Sequence, residues 1–174
     1  LQSEALIQEG QISRFTYRNI IAMGLIVQDY TWVENFLHEY KPYLDKSHRE
    51  QIFKFNLARL EYTRKNYNLA LELLIQADFK DLLLNLSAKA MALKIYFELN
   101  EIRLLDAHLH SMKTFITRKK VMGYHRTNYL NLIKYTQKLI GLRPSDRLGA
   151  EAIREKIEAE KLISEREWLL QQLP

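Results

Sequence analysis

Two pairs of side chains in this sequence have the types that could hold a metal or move a proton. In "DAHLH", His108 and His110 stand two residues apart on a predicted helix. That separation is about 200° around the axis, so the two imidazoles cannot chelate one ion from that helix. Glu34 and His38, at i and i+4, do share a face, but no third ligand accompanies them. His108 therefore reads as the edge of an apolar face made by Leu105, Leu109, Met112 and Ile116, with His110 toward water. No glycine-rich phosphate loop, G-x-S-x-G elbow or H-E-x-x-H helix occurs. With no cysteine, disulfides, thiolate metal sites and cysteine nucleophiles are excluded. The expectation is a chain that is not an enzyme and carries no catalytic residue, cofactor or metal.

Chemistry of another kind is concentrated between Ser111 and Arg143. The run "SMKTFITRKKVMGYHRTNYLNLIKYTQKLIGLR" holds eight Lys or Arg and no acid. Over the whole chain 26 basic residues face 21 acidic ones, so outside this run acids are in excess and the basic character is local. Lys113, Arg118, Lys119, Lys120, Arg126, Lys134 and Lys138, with Tyr124, Tyr129 and Tyr135 among them, make a candidate patch for nucleic acid or an acidic protein. A plainer account stands beside it. Arg118, Lys119 and Lys120 would complement the negative end of a helix dipole. Lys134 and Lys138 would lie opposite a core stripe of Tyr129, Leu132, Ile133, Thr136 and Ile140. The acidic segment Glu151 to Glu167 could also fold beside the patch and neutralise it.

The elements that must position these residues are helical. Gly and Pro number only five and three in 174 residues, while Leu, Glu, Lys, Arg and Ala dominate, which points to an all-α protein of one domain over 1–174. Periodicity predicts helices near 14–28, 31–41, 47–64, 67–77, 84–99, 101–119, 123–141 and 146–172. Pro42 ends a helix, and Ser47 with Glu50 has capping-box spacing. "GLRPSDRLG" makes a second break, after which a charged segment reads as the terminal cap of a helical stack. Ser164 and Glu167 are placed to cap a separate last helix that docks Trp168 and Leu169.

Internal repetition organises these helices. With Tyr30, Tyr67 and Ile102 in register, "LIVQDYTWVENFL", "EYTRKNYNLALELL" and "YFELNEIRLLDAHL" align. Each has a helix end, a polar turn, a bulky residue, and apolar residues two, three, six and seven places on, apart from His108. The register residues lie about 35 apart, near the period of a helix-turn-helix repeat. In the second unit Asn56, Leu57, Ala58, Tyr62, Asn66, Tyr67, Ala70 and Leu74 fall where tetratricopeptide (TPR) repeats place small and aromatic packing residues. That stretch resembles a TPR unit, and the likeness extends over about Ile12 to Ile116. The irregular, Tyr-rich style is similar to bacterial members whose partners are unknown.

The resemblance implies a right-handed stack of antiparallel hairpins, a TPR-like α-solenoid, with hairpins at about 12–44, 47–78 and 84–119 and a fourth hairpin or cap at about 123–174. Ala58 and Ala70 would let two helices approach while Tyr67 fills the space beside the turn. Ile21, Val33, Leu93 and Leu105 stand where small residues belong in the flanking units, which implies wider helix spacing there. First helices of TPR hairpins line a concave groove for peptides. The corresponding positions here are Arg18, Asn19 and Ala22, then Phe55, Arg59 and Tyr62, then Ala90, Lys94 and Phe97. Arg18, Arg59 and Lys94 would favour an acidic ligand. The two-Lys, two-Asn clamp of chaperone-binding members is not reproduced: Arg18, Ala22, Ser87 and Met91 occupy its positions, and only Asn19 and Asn56 match.

The expected function is a non-catalytic protein-interaction or scaffold module with a peptide-binding groove, the alternative being nucleic-acid or acidic-partner binding through 111–143. Self-association through a stacked face is a third reading. No apolar run approaches the roughly 20 residues that cross a bilayer, and "LQSEALIQEG" lacks the regions of a signal peptide. These features predict a soluble, cytoplasmic chain without a membrane partner. The first residue is not Met, which reads as a piece of a longer protein or a processed one.

Overall fold

The computed structural model describes residues 6, 7, 10–119 and 123–174. Among them every regular element is helical: α1 (Arg14–Ile26), α2 (Tyr30–Tyr40), a 3-10 turn at Lys41–Tyr43, α3 (Arg49–Thr63), α4 (Tyr67–Gln76), α5 (Leu82–Glu98), α6 (Ile102–Arg118), α7 (Gly123–Ile140), α8 (Arg147–Ala159) and α9 (Arg166–Gln171). The predicted helices reappear within a few residues, except that the expected 146–172 helix is two. The chain divides into two compact units, Leu1–Ile95 and Tyr96–Pro174, with the division falling inside α5.

The repeat is written in the backbone of three turns. Gln28, Lys65 and Asn100, each two residues before a register residue, all have positive φ, at 62°, 64° and 56°. The next residues, Asp29, Asn66 and Glu101, share φ between −86° and −83° and ψ between 64° and 72°. Their amides reach back five residues, Asp29 to the Gly24 carbonyl at 3.2 Å, Asn66 to Glu61 at 2.8 Å and Glu101 to Tyr96 at 2.9 Å. This pairing of a left-handed residue with a long backward hydrogen bond is the Schellman ending of a helix. Three helix ends with one conformation, each feeding a helix whose apolar face has the same spacing, make the chain helical-repeat-like.

In the first unit α3 is buried around most of its circumference, through Ile52, Phe53, Phe55, Ala58 and Leu60 as well as Gln51, Asn56 and Glu61. Ala58 and Ala70 are fully buried, as close approach of α3 and α4 requires. In the α1–α2 hairpin the close approach comes at Gly24, although Ile21 and Val33 are bulky. A Cβ there would collide with Val33 Cγ2 and come within 3.2 Å of the Trp32 ring. The buried polar groups are all satisfied among the described residues. The Asn56 amide donates to the Ile52 carbonyl at 2.8 Å, and Gln51 receives the Lys80 amide at 3.1 Å.

Arg64 ties α2 to the end of α3, donating to Glu34 at 2.7 Å and Glu61 at 3.0 Å. Asn66 holds the other oxygen of Glu61 at 2.9 Å. The hydrogen bond to Glu34 leads the effects that raise the Arg64 pKa, so the guanidinium is firmly charged. At the start of α3 the capping box does not form. Asp45 receives the Ser47 amide at 2.8 Å and the Ser47 hydroxyl, which takes Ser47 out of the cap position. These bonds hold the Asp45 carboxyl below its usual range. His48 stands at the N-cap instead, and Glu50 pairs with Lys41 at 2.8 Å.

In the second unit α6 buries the stripe Leu105, Leu109, Met112 and Ile116. The chain reverses after α8 through Arg166, whose guanidinium caps that helix on the carbonyls of Ile157 at 2.7 Å, Glu158 at 2.8 Å and Glu160. α9 starts at Glu165, a left-handed residue without a side-chain cap. Ser164 does not cap it, because Glu165 occupies the N-cap position and Ser164 lies one residue earlier, its amide donating to the Asn128 carbonyl at 3.3 Å. Trp168 and Leu169 are buried as expected. Trp168 donates to Glu98 at 2.9 Å and meets Phe97 edge-on at 5.4 Å.

Candidate functional site

The first unit brings five of the nine expected groove residues into a mixed cationic and aromatic set. Phe55, Arg59 and Tyr62 follow one another on a face of α3 at i, i+4 and i+7. Arg18 of α1 sits over the Phe55 ring at 5.7 Å, and Lys94 of α5 sits over the Tyr62 ring at 4.8 Å. Arg59 donates to the buried Asn56 at 3.3 Å. The three cations thus come from three helices and are held by rings or an amide within their own unit.

The members differ in what they can offer a ligand. Phe55 is buried, edge-on to Phe79 at 6.2 Å, so its role is to support Arg18. Tyr62 is half-buried against Tyr67, ring centres 5.7 Å apart. Asn19 is exposed, Ala22 half-buried and Ala90 buried. Phe97 belongs to the second unit, where it packs on Trp168. Sequence reasoning passed over Lys89 of α5, a half-buried lysine whose ammonium pKa is lowered by burial.

The basic segment is almost wholly displayed. Lys113, Arg118, Lys119, Arg126, Lys134 and Lys138 are all exposed; Lys120 lies outside the described residues. Tyr135 is not a surface ring of this patch but part of the core of α7, with Lys134 at 4.7 Å and Lys138 at 5.5 Å from its centre. Its hydroxyl reaches the Lys156 carbonyl at 3.2 Å and Glu160 at 3.3 Å. The acidic terminal segment does run along α7, with Asn131 donating to the Leu162 carbonyl at 2.8 Å. Its one ion pair with these cations among the described residues is Glu160 to Lys134 at 3.8 Å.

The histidines take the packing roles their spacing suggests. His108 is tilted against Tyr96 at 5.4 Å and His110 is exposed. Glu34 is held by Arg64, and His38 meets Phe53 edge-on at 5.1 Å. Among the described residues no three His, Cys, Asp or Glu gather where a metal ion would need them. No described helix is long and apolar enough to cross a membrane.

A further aromatic set went unrecognised in the sequence. Trp32, Phe36 and Tyr40 recur every four residues along α2 and stack, with centroids 5.3 Å and then 4.4 Å apart. The i, i+4, i+8 spacing was the available signal.

Architecture and site together define a class, an all-α helical-repeat-like chain with cations presented on α1, α3 and α5. Compared with known proteins, the chain matches no family model, no curated protein and no solved structure.

Proposed function

We propose that the chain is a non-catalytic protein-interaction module of TPR-like kind, a right-handed stack of helical hairpins whose first helices hold an acidic peptide segment. One observation carries this reading: Arg18, Arg59 and Lys94 come from α1, α3 and α5 of a single unit, and each is braced by a ring or an amide. Bracing lowers the entropy lost when a long cationic side chain engages a carboxylate. The Cys-free sequence suits a reducing compartment such as the cytoplasm. The test is capture of partners by the unmodified chain and by the triple variant Arg18→Glu, Arg59→Glu, Lys94→Glu. Partners bound through this face vanish from the variant's set, and an identical set rejects the reading.

A second reading has its own support. Six described cations of the 111–143 segment are exposed, and one weak carboxylate contact offsets them. A surface of this kind binds phosphates by releasing counterions, so affinity must fall as salt rises. Titration with single-stranded and duplex oligonucleotides across salt concentrations decides. Binding that ignores salt, or none at low salt, removes the nucleic-acid reading.

A further inference from the structure

Between α1 and α2 lies a cavity of about 590 Å³, within the range of small-molecule sites. Ile20 and Met23 of α1 and Trp32 and Phe36 of α2, with Leu6 and Tyr40, supply most of its surface, and Asn35 and Glu39 add an amide and a carboxylate. Met23 is 67% exposed and Trp32 36%, so apolar surface is left in water beside a ready-made hollow. The Trp32 ring lies beside Gly24 of α1 and stacks on Phe36 with centroids 5.3 Å apart. The charge of the lining is one-signed: it contains a carboxylate and an amide, and no Lys, Arg or His. The Glu39 and Asn35 side chains take no hydrogen-bond or ion-pair partner among the described residues. A hollow of this size with an apolar body and an uncommitted carboxylate selects a ligand of matching anatomy.

We propose that this cavity binds a small hydrophobic amine, its ring system against Met23 and Trp32 and its ammonium on the Glu39 carboxylate, with the Asn35 side-chain carbonyl as second acceptor. The site is independent of the cationic groove and opposite to it in sign.

Calorimetric titration of the full chain with 2-(2-naphthyl)ethylamine, 2-(2-naphthyl)ethanol and 2-naphthylacetate tests it, since the three share a ring and differ in charge. The amine binds tightest and the carboxylate weakest, with about a fivefold gap between amine and alcohol. Glu39→Gln closes that gap without weakening the alcohol. Met23→Arg reverses the order in favour of the carboxylate. Both positions are exposed, so both variants keep the fold, which circular dichroism verifies. Equal binding of all three ligands, affinities indifferent to both substitutions, or no saturable heat from the amine at millimolar concentration would each overturn the proposal.

Discussion

Gln28, Lys65 and Asn100 hold left-handed backbone at the ends of α1, α3 and α5, where glycine is the usual residue. Replacing each by glycine turns the repeated turn into a graded measurement. A left-handed conformation costs an ordinary L-residue about 1–2 kcal/mol, and less for Asn, whose side chain tolerates it. Glycine removes that cost but adds about 0.5–1 kcal/mol of unfolded-state entropy. All three side chains are exposed, so little packing is lost. Gln28→Gly should then stabilise by about 0.5–1 kcal/mol. Lys65→Gly also removes the ammonium 5.7 Å from the Tyr67 ring, an exposed contact of about 0.5 kcal/mol, and should gain less. Asn100→Gly should be nearly neutral, and Gln28→Val should destabilise, since a β-branched residue fits this region worst. Urea unfolding followed by circular dichroism reads the series as shifts of the midpoint at constant slope. If Gln28→Gly is neutral or harmful while Gln28→Val is tolerated, the shared turn conformation is wrong.

Other consequences concern the core of the first unit. Arg64→Met should cost about 1.5–3 kcal/mol, because the buried Glu61 carboxylate keeps only Asn66, and adding Glu61→Gln should recover at least half. A double-mutant cycle with no coupling contradicts this. Gly24→Ala should destabilise by about 1–2 kcal/mol despite alanine's better helix propensity, since its methyl meets Val33 and Trp32; a higher melting temperature would refute it. Tyr17 donates to the Leu37 carbonyl at 2.8 Å, and burial pushes its phenol well above the ordinary 10.0. A raised folded-state pKa means stability that is full below pH 10 and lost as pH climbs past it. Tyr17→Phe should lower stability by about 1 kcal/mol at neutral pH and flatten the alkaline fall, read from melts between about pH 8 and 11.

What the sequence disclosed follows from which forces are periodic. Helices announce themselves because burial selects every third or fourth residue, and the stripe Leu105, Leu109, Met112, Ile116 is buried as its spacing implies. The alignment on Tyr30, Tyr67 and Ile102 found the turns, but not their conformation, because Gln, Lys and Asn there carry none of glycine's signal for positive φ. Local competition was harder to see. Ser47 looked like a cap until Asp45 claimed it, and Arg166 closes α8 with a side chain from beyond the helix. Tyr135 read as a surface ring because the stripe was drawn through Ile140, whereas burial follows Leu132, Tyr135 and Leu139. The cations of the candidate groove were readable one at a time. Their pairing with Phe55 and Tyr62 was not, since Arg18–Phe55 and Lys94–Tyr62 each join residues more than 30 positions apart.

Six residues are too few for a helix to persist alone, yet α9 is six residues long and begins without a cap. Its order is therefore borrowed from what it docks on: Phe97 and Glu98 at the end of α5, and the α8 terminus that Arg166 grips. Such a helix is expected to open locally more often than the whole unit unfolds. Amide exchange over Arg166–Gln171 would report that opening, and a fluorophore at the exposed Gln171 would follow the undocking of α9.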